Sequence, residues 1–174
     1  MKTIVVVVQA RVLSSRFNAK ICKPLGAGTV LEYQLKRLKA AKLPTHIVVA
    51  APSGNPDTVL EPLCENVDIP FFRGHPTDLI DRHLKCARAY SADVVVKIPS
   101  DVPLIDPQLV DEIIQTFLDS GADYVSNLHP ESFPDGFDVE VFSMSALEKA
   151  YNEAEQDFER EHTTPFFWDD NPEF

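Results

Sequence analysis

The chain has 174 residues, 44% hydrophobic and 25% charged, the composition of one soluble globular domain long enough to bury a core. Its net charge of -11 argues against general nucleic-acid binding, which needs many Lys and Arg against phosphates. The apolar run after Lys2 stops at Ala10, too short for a membrane span, and an Arg-containing loop follows it instead of a signal cleavage site. Ile4 to Val8 are consecutive β-branched residues without alternation, which predicts a strand buried on both faces, as in a parallel sheet covered by helices. The loop that leaves it, Gln9 to Lys20, carries Arg11, Ser14, Ser15, Arg16 and Lys20. Val30 to Ala41 places Leu31, Leu35 and Leu38 at helical spacing, with Lys36, Arg37 and Lys39 opposite. His46 to Ala51 reads as a second strand, stopped by the turn-rich Pro52 to Pro56. A short helix over Asp57 to Asn66 and a short strand over Pro70 to Phe72 follow, then an amphipathic helix from Asp78 to Tyr90. Asp93 to Ile98 is another buried strand, and Asp106-Pro107 opens a helix to Leu118 with an N-cap and a first-turn proline. Asp123 to Ser126 and Phe137 to Phe142 read as strands, and Ser145 to Glu148 as a capping box for a helix ending near Glu155. The alternation predicts a three-layer α/β/α sandwich with a mostly parallel sheet, in one domain; the strand order is not readable.

Charge is unevenly spread. Met1 to Leu31 contains no Asp or Glu and five of the 16 basic residues, which leaves 11 basic residues against all 27 acidic ones beyond it. A basic loop at the carboxyl end of the first parallel strand suits an anionic ligand, because such loops hold phosphates in α/β folds. A solvated basic loop has the same composition. With no Gly between Ala10 and Lys20 it is neither a Walker loop nor a dinucleotide fingerprint. Asp101, just past the strand Asp93 to Ile98, is placed to hold a Mg²⁺ that bridges protein and phosphate, or simply to cap its turn. Cys22, Cys64 and Cys86 show no metal-type or paired spacing, as expected of reduced thiols in a cytoplasmic protein.

These loops carry a resemblance. Gln9 to Lys20, QARVLSSRFNAK, followed by Lys23-Pro24-Leu25, resembles the QARxGSxRLPGK…KPL opening of the CTP-dependent nucleotidylyltransferases that make CMP-activated sugars. The likeness is greatest to the spore-coat polysaccharide type, related to acylneuraminate and 3-deoxy-manno-octulosonate cytidylyltransferases. It continues through Leu31 to Gln34, Phe72 to Gly74, Asp81-Arg82, Ser100 to Pro107, Ala122 to Asn127, Pro134 to Phe142 and Arg160 to Pro165, in order along almost the whole chain.

The resemblance implies a nucleotide-diphospho-sugar transferase fold, Rossmann-like, in which CMP passes from CTP to a sugar or sugar acid and pyrophosphate leaves, in surface polysaccharide synthesis. It implies that Arg11 and Lys20 hold the triphosphate, with Ser14 and Ser15 in the same loop, and that Asp101, beside Ser100, holds Mg²⁺. It also implies that Ala10 and the loop through Ser53, with Arg73, face the nucleoside. Asn127, Asp138, Glu140, Glu161 and His162 fall on stretches that surround the acceptor, although Asp138 and Glu140 would equally suit a solvent-facing strand, and Glu161 and His162 an acidic surface segment. Relatives are commonly homodimers. The sequence departs from the pattern at Leu13, where the family has Gly, at Asn18-Ala19 in place of Pro-Gly, and at Ser100 in place of Gly. Its end at Phe174 leads to the expectation of a C-terminally truncated domain. A catalytically weak nucleotide-binding module acting with a partner chain is the alternative.

Overall fold

The structure, a computed structural model, describes residues 2–13 and 18–168. Its elements are β1 (Ile4–Gln9), β2 (Pro24–Leu25), β3 (Gly28–Thr29), α1 (Val30–Leu38), β4 (His46–Pro52), α2 (Leu60–Glu65), β5 (Phe71–Gly74), α3 (Leu79–Ala89) and β6 (Val94–Pro99), then α4 (Pro107–Ser120), β7 (Tyr124–Ser126), β8 (Glu140–Ser143), α5 (Met144–Glu153), α6 (Asp157–His162) and α7 (Pro165–Trp168). Short 3-10 turns occupy Lys20–Cys22 and Asn55–Val59.

The main sheet has the order β5-β4-β1-β6-β8-β7. β1 pairs in parallel with β4 on one side and β6 on the other, and only β8 runs against its neighbours. The sandwich with a mostly parallel sheet is therefore the fold observed. Val5 to Val8 are fully buried because both faces of β1 are covered. Val6 and Val8 pack with Leu31, Leu35 and Leu38 of α1 and Ile114 of α4, whereas Val5 and Val7 pack with Ile80 and Leu84 of α3 and Leu147 of α5. Each such side chain contributes about 1.5–3 kcal/mol of hydrophobic stabilisation. The chain builds β4 and β5 to one side of β1 and then crosses to the other side for β6. That reversal opens a crevice beyond the carboxyl ends of β1 and β6, where open α/β sheets take their ligands. Among the described residues no helix is long and apolar enough to cross a membrane.

Several local expectations change. Phe137 to Val139 lie outside the last strand, which begins only at Glu140. The Asn127 side chain takes the backbone groups a ladder would use, donating to Phe137 O at 2.7 Å and accepting from Val139 N at 2.9 Å. The cap of α5 is Ser143, which accepts from Ala146 N, and Ser145 lies inside the helix with its hydroxyl against that of Ser143, so no capping box forms at Ser145. α1 stops at Leu38, where Ala40 N and Ala41 N bond back to Arg37 O and Leu38 O and tighten the chain into a turn. The Asp106 cap and Pro107 start of α4 are as expected, and Gly121 at φ 69° closes that helix in the left-handed region. The β2–β3 hairpin, α6 and α7 carried no signal recognised in the sequence.

Candidate active site

A recess of about 150 Å³ lies in the crevice between β1 and β6, lined by Gln9, Arg11, Lys20, Ile21, Pro99, Ser100 and Asp101. The chain brings Arg11 and Lys20 here by folding the loop after β1 back on itself, with Ala19 N donating to Val12 O at 3.0 Å. The buried Asp57 carboxylate accepts from Val12 N at 2.7 Å and anchors the loop's stem. Ala19 takes φ 53° and ψ 31°, and Lys20 starts the 3-10 turn immediately after it. Lys20 Nζ donates to Asp101 Oδ2 at 2.5 Å, with the two side chains 38% and 36% exposed. An ion pair this open to water contributes no more than about 1 kcal/mol, so a competing anion or cation can separate it. Leu13 is 59% exposed and is not among the residues that line the recess. Ser14 and Ser15 lie outside the described residues.

The Ser100-Asp101 turn is held from α1. Gln34 Nε2 donates to Pro99 O, Gln34 Oε1 accepts from Val102 N, and Arg37 Nε donates to Ile105 O. Among the described residues no three His, Cys, Asp or Glu side chains gather into a cage for a metal. Asp138 is held above the usual carboxylate range, first by burial and then by Asp135, Glu140 and Asp101, which places it in the same electrostatic neighbourhood as Asp101. One or two carboxylates beside an anion site suit Mg²⁺, which takes the rest of its ligands from phosphate and water.

A second cleft of about 490 Å³ shares Gln9 and Arg11 with the recess and runs on to the His75–Leu79 segment, Arg82, Asp157 and Arg160 to His162. Arg82 is 1% exposed, and its guanidinium donates twice to His75 O and once to Pro76 O. Burial draws its pKa down to about 10, which leaves it charged at neutral pH. Gly74 makes room for it, since a Cβ there would stand 2.6 Å from Arg82 Cγ. Arg160 donates to Asp78 Oδ2 at 2.9 Å and to Ala154 O and Tyr151 O, so its charge is also committed. Exposed Glu161 and His162 stand on the same wall.

The remaining expected site residues divide by their contacts. Ala10 is buried with its N donating to Ala50 O, while Ser53 N donates to Gly74 O and Ser53 lies outside both clefts. Arg73 is spent on Glu61 at 2.7 Å and lies over the Phe71 ring, away from both clefts. Asn127 braces the loop before β8, as described above. Glu140 is 3% exposed, accepts from Lys97 Nζ at 2.6 Å and Tyr124 Oη at 2.7 Å, and does not face solvent. Lys97 Nζ also donates to Thr164 Oγ1 at 2.9 Å, so this cluster ties the segment before α7 to the sheet. Sequence reasoning assigned no role to Gln9, Arg82, Gln34 or Asp57, although the first three fall on stretches that carry the resemblance, and Gln34 is also a polar residue inside the Leu31, Leu35, Leu38 stripe.

The sequence profile of the cytidylyltransferase family matches residues 5–174. The chain belongs to this family. An uncharacterised protein of Methanocaldococcus jannaschii is 36% identical to this cytidylyltransferase-family chain over 169 residues, covering 97% of the chain and 68% of its own length. The spore coat polysaccharide biosynthesis protein SpsF of Bacillus subtilis is 29% identical over 163 residues, covering 88% of the chain and 68% of SpsF. The structure of a cytidylyltransferase from Leptospira borgpetersenii serovar Hardjo-bovis is similar at a TM-score of 0.96 and 32% identity, over 100% of this chain and 74% of that one. The fold and family implied by the opening loop thus agree with the relatives and with the sheet.

Proposed function

We propose that the chain transfers CMP from CTP to a sugar or sugar acid, with release of pyrophosphate, as a step in building a surface polysaccharide. The observation that carries this reading is the convergence of Arg11, Lys20 and Asp101 on one recess at the point where the sheet reverses direction. Family membership and the name of SpsF support the same reading.

In this reaction an acceptor oxygen attacks the α-phosphorus of CTP. A new P–O bond forms as the acceptor hydroxyl gives up its proton to solvent, the bond from the α-phosphorus to the oxygen bridging to the β-phosphate breaks, and that oxygen leaves with pyrophosphate. Negative charge builds on the equatorial oxygens and on the leaving group, so fixed cations stabilise the transition state more than the ground state. Arg11 and Lys20 supply that charge from the recess, Lys20 exchanging its Asp101 partner for phosphate oxygens. Asp101 would hold Mg²⁺ with the nucleotide's own oxygens, and the ion would supply charge neutralisation and in-line alignment. Ser100 would steady the same turn. The larger cleft, reached through the shared Arg11, would receive the organic parts of the substrates, with Glu161 and His162 available to accept from and donate to hydroxyls.

The test is pyrophosphate release with CTP, Mg²⁺ and a panel of neutral, amino and acidic sugars, with ATP, GTP and UTP as controls. Release dependent on both CTP and an acceptor is expected. Tight CTP binding with no release across the panel would move the reading to a nucleotide-binding module.

A further inference from the structure

We infer that Gln34 is the positioning residue that fixes Asp101 in its working place, an inference that rests on the proposed role of Asp101. β6 is laddered to β1 only as far as the Gln9–Pro99 pair, so the turn carrying Ser100 and Asp101 leaves the sheet with no strand to define its path. Gln34 takes over at that point. Its amide donates to Pro99 O at 2.5 Å and accepts from Val102 N at 3.1 Å, gripping the backbone on both sides of the Ser100-Asp101 dipeptide. A planar primary amide is the group that offers a donor and an acceptor side by side; Leu offers neither and a carboxylate only acceptors.

The location is costly without that purpose. Gln34 is 0% exposed, and Leu31, Leu35 and Leu38 on the same helix face are equally buried. A buried amide is tolerated only when its hydrogen bonds are made. The helix that bears it is itself fixed. Thr29 and Glu32 form a reciprocal capping box at its start, and Arg37, one turn beyond Gln34, holds Ile105 O at 2.8 Å at the far end of the same loop. The Asp101 side chain by contrast has Lys20 as its hydrogen-bond partner and is a third exposed, so its position is set by its backbone, and its backbone is set by α1.

The experiment reads Mn²⁺ binding by electron paramagnetic resonance in the presence of a non-hydrolysable CTP analogue, together with amide exchange over residues 100–105; neither requires turnover. Gln34→Met is expected to weaken Mn²⁺ binding about tenfold, the usual effect of removing an outer-shell partner, and to speed exchange at Val102. Thr29→Ala, which weakens the same helix without touching the turn, is expected to lower Tm while leaving Mn²⁺ affinity at the wild-type value. If Gln34→Met does not fold, Gln34→Glu keeps the length and the bond from Val102 and withdraws the donor to Pro99 O. Wild-type Mn²⁺ affinity in either folded Gln34 variant would overturn the inference, as would a loss in Thr29→Ala as large as in Gln34→Met, since Gln34 would then be a stabilising residue and no more. A Gln34-dependent Mn²⁺ site in a wild-type protein that releases no pyrophosphate would support the positioning role while rejecting the transferase reading.

Discussion

Ala19 occupies the backbone conformation that glycine favours, at φ 53° and ψ 31°. An L-residue in the left-handed region carries about 1–2 kcal/mol of Cβ–carbonyl crowding, while glycine forfeits about 0.4–1 kcal/mol through its freer unfolded chain. Ala19→Gly is therefore expected to stabilise the protein by about 0.5–1 kcal/mol and to raise Tm by about 2 °C, as read by calorimetry. A fall in Tm would mean that the alanine methyl makes a contact worth more than the strain. The position explains what could be read from the residues and what could not. QARVLSSRFNAK shows that Ala stands where the family has Gly, but the sequence does not say whether the backbone followed the residue. It did not: Ala19 takes the left-handed geometry that glycine favours, and Lys20 after it reaches Asp101. Leu13 turned out to be the lesser departure, because its side chain points to water. Asp57 gave no local signal, since its partner, the Val12 amide, lies 45 residues away in the chain. Arg82 fell on a stretch of the resemblance, but its burial against the nearby His75 and Pro76 carbonyls is a matter of folding that the residue type does not show.

Among the elements, α3 shows how a core helix makes the fold sensitive to pH. His83 is fully buried in it, and its Nδ1 lies 2.7 Å from Leu79 O. A carbonyl can only accept, so Nδ1 carries the proton in the neutral ring. Nε2 is buried with no hydrogen-bond partner among the described residues, and burial, with Lys97 and Arg82 nearby, draws the pKa down to about 3. The folded ring is therefore neutral, whereas the unfolded chain takes up a proton near pH 6.5. Because the folded pKa is the lower one, the unfolded state binds more protons between these values. Stability present above pH 6.5 is lost as pH falls toward 3, at about 1.4 kcal/mol per pH unit from this residue. His83→Leu keeps the apolar contacts, and Leu79 O keeps its helical partner. Urea unfolding of the variant between pH 6 and 4 is expected to show a slope shallower by about that amount. Parallel profiles for the two proteins would show that His83 already binds its proton in the folded state. At this scale the sequence was legible where signals are local, as in Asp106-Pro107 opening α4, and silent where a distant side chain decides, as when Asn127 delays β8.

For the whole molecule, the topology decides how charges far apart in the sequence meet. Lys20, from the carboxylate-free segment Met1 to Leu31, meets Asp101 across the sheet's reversal point. Each group masks the other. A divalent cation alone must displace an ammonium from Asp101, and a nucleotide alone must draw Lys20 from a carboxylate. A nucleotide and a cation together satisfy both at once, so their binding is expected to be synergistic. Ligand binding stabilises the folded state by about 2.7 kcal/mol at a hundred times Kd. For a chain of this size that is a Tm rise of about 5–10 °C with CTP and Mg²⁺ together, against a much smaller rise with either alone. Asp101→Asn is expected to leave the ligand-free Tm nearly unchanged, because the pair it loses is exposed and contributes at most about 1 kcal/mol, yet to abolish the extra rise. Lys20→Met would behave differently. It is expected to let Mg²⁺ alone raise Tm while weakening CTP, because Asp101 is freed as the phosphate loses a cation. Additive shifts in the wild type would show two independent sites and would reject Lys20–Asp101 as the hinge between metal and nucleotide.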